Sequence, residues 1–84
     1  MVVDLDKYRI NRRFIHEWFI DNAEGDVNAA ISILAQATMC PCIVVAYFLG
    51  EVTGWTPELA RHIETLRKFY GYTEIRNKPE GCTI

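Results

Sequence analysis

Apolar residues recur at helical spacing through most of the chain, and the residues between the runs predict four helices. The first covers about 11–22, with room to begin nearer Asp4. Its i,i+4 pairs Phe14/Trp18 and Ile15/Phe19 give it a wide apolar face. Gly25 breaks that run. Asp26 is then placed to cap a second helix over 27–37, in which Ala30, Ile33, Leu34 and Ala37 form an inward stripe. After a short break at 38–40, Pro41 suits the first turn of a third helix over 41–49, closed by Gly50. Ile43, Val44, Val45 and Tyr47 also favour a strand, but the helical neighbours and the proline-start, glycine-end punctuation decide for helix. Residues 53–55 read as loop. Thr56 then caps, Pro57 takes the first helical position, and Glu58 favours the positive end of a fourth helix. Leu59, Ile63, Leu66 and Tyr70 stack along it as far as a C-cap at Gly71. The polar stretch 72–84, with Pro79 and Gly81, is a tail or an edge extension of a single helical domain over 1–71. The expected fold is all-α, a compact four-helix domain.

Charge sharpens this picture. The chain has 84 residues, nine basic and eleven acidic, and a net charge of −2. Every one of those charges lies in 1–26 or 51–84, so the segment from Val27 to Gly50 must be covered by the fold, a partner or a membrane. Its length would span a bilayer. Asn28, Ser32, Gln36 and Thr38 interrupt its first half, however, and Pro41 sits near its middle, so no membrane span is expected. The slightly acidic balance supplies no global basic field for nucleic acid. A chain of this length buries roughly 60–65% of its unfolded surface, so self-association would add usefully to a modest stability. No basic-then-apolar leader opens the sequence, and Cys40, Cys42 and Cys82 are an odd number for a disulfide framework. Reduced thiols and a cytoplasmic location are expected.

The second and third helices, with the break between them, resemble the helix-turn-helix of the Cro and lambda-type repressor family over roughly 14–72. Ile33-Leu34-Ala35-Gln36-Ala37 resembles the first motif helix. Met39-Cys40-Pro41-Cys42 falls where the family has an apolar residue and the polar start of its recognition helix. Val44 takes the buried β-branched position, with Tyr47 and Phe48 following it inward, and Pro57-Glu58-Leu59-Ala60 looks like the start of the next helix. Where the family favours alanine and a turn glycine, this chain has Leu34 and Thr38. The resemblance implies a helix-turn-helix-like core and a regulator of the kind phages and mobile elements encode, one that binds operator DNA.

The chemistry of the third helix points elsewhere. Reading bases in the major groove needs bidentate side chains such as Arg, Lys, Asn or Gln. The outward positions here fall on Cys42, Val45, Ala46 and Leu49, none of them long and polar. An apolar face would strip water from base edges without replacing the hydrogen bonds. A helix apolar all round is either a wholly wrapped core helix or an interface. The interface reading makes Val45, Ala46 and Leu49 a dry centre beside Cys42, with Tyr47 and Trp55 as anchors for a protein partner or a second copy. In the alternative, a DNA-binding repressor, Arg9, Arg12 and Arg13 supply phosphate contacts. No metal site, cofactor, small-molecule substrate or catalysis is expected. Cys40-x-Cys42 lacks a second close pair of zinc ligands, the only serine, Ser32, sits mid-helix, and no glycine-rich phosphate loop exists.

Overall fold

A helix with no polar face can only be stable when something covers it on every side. The computed structural model, which describes residues 2–22 and 26–78, shows how this chain does so. Its elements are β1 (Val2–Asp4), a single 3-10 turn at Leu5–Lys7, α1 (Arg12–Asn22), α2 (Val27–Thr38), α3 (Cys42–Thr53), α4 (Pro57–Tyr70) and β2 (Glu74–Arg76). The domain is thus mostly all-α, with four helices in the expected order. Helices α1, α2 and α4 all pack on α3, and every residue from Ile43 to Gly50 is buried.

The caps that were legible in the sequence form as hydrogen bonds. The Asp26 carboxylate accepts from the Ala29 N–H at 3.1 Å, and the Thr56 hydroxyl accepts from the Leu59 N–H at 3.1 Å. Each satisfies one donor that a helix start leaves unpaired. Gly71, at φ 71°, closes α4 by donating its N–H to the Arg67 carbonyl. Leu59 and Ile63 are buried as expected, whereas Tyr70 at the end of their stripe is half-exposed.

Four features differ from the sequence expectation. Helix α3 does not stop at Gly50 but runs to Thr53, with Gly54 at φ 95° as its cap. Gly50 has a packing role: a Cβ there would lie 2.5 Å from the Trp55 ring, which stacks against the helix where a side chain would stand. In α2 the buried stripe is Val27, Ala30, Ile31, Leu34 and Ala35, so Ile33 and Ala37 face outward. The spacing was right and the phase was not, because α2 carries no charge to mark its solvent side. In α1 only Ile15 is fully buried; Trp18 and Phe19 are partly so, and Phe14 and Ile20 are exposed. Finally, residues 2–4 are a strand rather than an earlier helix start, and the described residues after α4 take the edge-extension form of the two expected. Residues 2–4 and 74–76 pair as parallel strands in the register Val2↔Glu74, Val3↔Ile75, Asp4↔Arg76, with Val3 and Ile75 buried. The Asp4 carboxylate accepts from the Asn77 side-chain amide at 2.9 Å and from the Asp6 N–H at 3.1 Å. Gly25 and everything after 78, including Cys82, lie outside the described residues.

The Gly50–Trp55 contact yields a test. Alanine at 50 gains about 1 kcal/mol of helix propensity but drives a methyl into the Trp55 ring, which also stands edge-on to Tyr47 at 5.6 Å. Overpacking of this kind costs roughly 1–3 kcal/mol. Gly50→Ala should therefore lower stability by a net amount on the order of 1 kcal/mol in chemical denaturation. In a Trp18→Phe background, the fluorescence of Trp55 should shift with it.

Candidate functional site

The chain turns by 113° between α2 and α3 through residues 39–41, an angle within the range that two helices of a helix-turn-helix make. Here the likeness to a DNA reader ends. Val45, Ala46 and Tyr47 are 0% exposed and Leu49 is 1% exposed. The expected partner-binding centre is therefore interior, and the wholly wrapped alternative describes α3. Trp55, expected as an anchor, is half-buried over Gly50, and Cys42 is half-buried at the start of α3. The physical reason is that α1, α2 and α4 all pack on α3 and together leave no side of it open between 43 and 50. Arg12 on α1 sits over the Phe48 ring at 4.7 Å from the centroid and pairs with Glu51 at 3.0 Å. That contact links the two helices at the surface through Glu51, the first charged residue after the apolar segment.

The same pairs alter the expected phosphate contacts. Arg12 is engaged with Glu51, and Arg13 is bonded to Glu17 at 3.0 Å. These exposed pairs contribute little stability, but each sets a carboxylate beside the charge that was to meet a phosphate. Arg9 is exposed.

What reaches the surface from the uncharged segment is instead the outer face of α2 and the turn after it. Asn28, Ala29, Ser32, Ile33, Gln36 and Ala37 are all exposed. Met39, in the turn, is 91% exposed and takes the left-handed conformation, φ 56° and ψ 35°, as the C-cap of α2. Beside it opens a cleft of about 350 Å³ lined by Ser32, Gln36, Cys40, Cys42, Tyr70 and Tyr72, among others. Of the lining residues, Tyr70 lies 5.9 Å from Tyr72 and meets Phe69, itself 78% exposed, edge to face at 4.9 Å. Burial raises the pKa of the Tyr72 phenol, and its neighbours Tyr8, Tyr70 and Cys42 raise it further. Together these exposed side chains, from Ile33 and Met39 to the cleft and Phe69, form a set without a formal charge. Sequence reading missed it. The absence of charge from 27 to 50 was the signal, and it was attributed to the outer face of α3 when α2 and the turn display it.

A second, polar cleft of about 330 Å³ is lined by Asn28, Glu58, Arg61, His62 and Thr65. Burial lowers the pKa of His62, against the opposing pull of Glu58 one turn before it. Among the described residues, no group of three or more His, Cys, Asp or Glu is placed to hold a metal, and no helix is long and apolar enough to cross a membrane. No family model, curated protein or solved structure matches the chain.

Two outcomes follow. Val45→Glu should unfold the domain, because an unpaired carboxylate in the centre of α3 costs several kcal/mol against a total stability of about that size. Circular dichroism would show loss of helix and of a cooperative melt. His62 makes stability depend on pH. Its folded pKa lies below the unfolded value of 6.5, so the folded chain binds fewer protons between the two. The associated stability is complete above pH 6.5 and is lost as pH falls through the folded value. His62→Gln should flatten that part of the profile of denaturation midpoint against pH.

Proposed function

We propose that this chain is a small, non-enzymatic, helix-turn-helix-like regulator that acts by binding a protein. By its resemblance it is of the phage or mobile-element kind and works in the cytoplasm. Its partner is a second copy, a repressor, or host transcription or defence machinery. The partner rests on the uncharged exposed side chains of α2, Met39 and the Phe69–Tyr70 edge, because the interior side chains of α3 are not available to it.

The observation that carries this reading is Met39. A left-handed backbone costs a non-glycine residue roughly 1–2 kcal/mol. In this fold the methionine recovers almost none of that by packing, since its side chain is 91% exposed. A glycine would serve the turn better, so the side chain is explained by what it does outside the domain. Met, Phe and Tyr are the residue types enriched in the buried centres of protein interfaces. Large exposed apolar side chains that form a patch mark interaction sites. Operator reading through α3 has no corresponding support, because no long polar side chain projects from its buried length.

Met39→Gly separates fold from function. Relief of backbone strain offsets the greater freedom of glycine in the unfolded chain, so stability should be unchanged or higher by up to about 1 kcal/mol. Self-association, followed by light scattering over a concentration series, should weaken at least about tenfold if the partner is a second copy. For a foreign partner, a photo-cross-linking residue at 39 or 69 should give adducts that one at Lys7 does not. A less stable Met39→Gly domain would mean that the methionine serves the fold. Specific binding of DNA fragments with a steep negative salt slope would replace this reading with operator recognition.

A further inference from the structure

We infer that Cys40 and Cys42 form a two-thiolate site for a soft, two-coordinate cation of the copper(I) class. Both cysteines are free, both are half-exposed, and both line the cleft beside Tyr70 and Tyr72. Only Pro41 separates them, and its extended backbone, φ −58° and ψ 146°, keeps their Cα atoms within about 7 Å. A linear dithiolate needs its sulfurs on opposite sides of the ion. With metal–thiolate bonds of about 2.3 Å, that separation is within the reach of two side chains so placed.

The surroundings select the class of ion. Among the described residues, no third His, Cys, Asp or Glu joins this pair to make a metal-binding group. Hard cations take oxygen ligands in larger number. Thiolates alone, with a low coordination number, suit copper(I). The reaction is a ligand exchange without change of oxidation state: two thiols and one copper(I) give a bis-thiolate copper complex of charge −1 and release two protons. The S–H of Cys40 donates to the Thr38 carbonyl at 3.4 Å, a weak bond that is readily given up. The complex forms at the first turn of the 12-residue helix α3, which no side chain caps, so the positive end of that helix faces the added negative charge. Unlike the dithiol, this charged complex would stand among side chains that carry no formal charge, which makes occupancy visible to anything docked there.

The test is an anaerobic titration of the reduced full-length chain with copper(I), buffered by a chromogenic chelator. The chain should withdraw one equivalent, release two protons and develop thiolate-to-metal absorption in the near ultraviolet. Cys40→Ser and Cys42→Ser should each weaken binding by more than about 100-fold, the upper end of what loss of an outer-shell partner costs. Cys82→Ser should bind like the wild type. Both thiol variants should stay folded with a cooperative melt, because both cysteines pack only at the half-exposed margin of the core. The inference fails if the folded chain binds copper(I) no more tightly than the urea-unfolded chain, if either single variant retains the affinity, or if Cys82→Ser abolishes it.

Discussion

Enclosure of α3 is the constraint on which the rest of the structure depends. From Ile43 to Gly50 the helix presents apolar groups in every direction, so each flank must lose its water to another element. Three helices supply those flanks, and their sequences fit the task unequally. Helix α4 meets α3 with the regular stripe of Leu59 and Ile63. Helix α2 does so with Val27, Ala30, Ile31, Leu34 and Ala35. Helix α1 buries only Ile15 completely and is held as well by Arg12, whose guanidinium covers the Phe48 ring and reaches Glu51. A guanidinium suits this position because its planar face lies on an aromatic ring while its edge keeps an ion pair in water.

That enclosure decides how the helix-turn-helix-like bend can be used. In a DNA reader the second helix of the motif is half-covered, and its free half carries the information. Here α1, α2 and α4 together leave no such half free between Ile43 and Gly50. The bend keeps its geometry, and the exposed parts of the motif become the back of α2 and the turn itself. Met39 then stands at the most prominent point of the turn, in a conformation that does not favour it. Strained residues persist where the surrounding structure holds them, and they concentrate at sites of function.

The sequence made the helices, their order and most of their caps legible, because these depend on neighbours along the chain: Asp26 with Ala29, Thr56 with Leu59, Gly71 with Arg67. The remaining features depend on contacts across the fold. Gly50 reads locally as a stop, and only the ring of Trp55 explains why the helix continues through it. The stripe of α2 has the same period in two phases one residue apart. With no charge on the helix, nothing local chooses between Leu34 with Ile33 and Leu34 with Ala35. The uncharged segment was rightly read as needing cover, but which of its two helices was covered is a tertiary fact. The parallel pairing of 2–4 with 74–76 spans nearly the whole described chain, and no short-range pattern reports it.

That pairing also joins the stability of the domain to the shape of its surface. Two three-residue strands have little stability alone. They hold here because Val3 and Ile75 are buried in the same core that surrounds α3, and because Asp4 ties the strand ends through Asn77. Tyr8 leaves the turn that follows β1, and Tyr72 lies between α4 and β2, so the two ends of the chain bring these phenols close enough for each to disfavour ionisation of Tyr72 with Tyr70 and Cys42 nearby. The cleft is therefore set by the closure of the sheet as much as by the bend between α2 and α3. One wall, Ser32 to Cys42, belongs to the motif helices, and the other belongs to the end of α4 and the short connection to β2. A change at either end of the chain that loosens the strands would act on the core and on the cleft together. A change at Met39 would act on the surface alone, because nothing in the core rests on it.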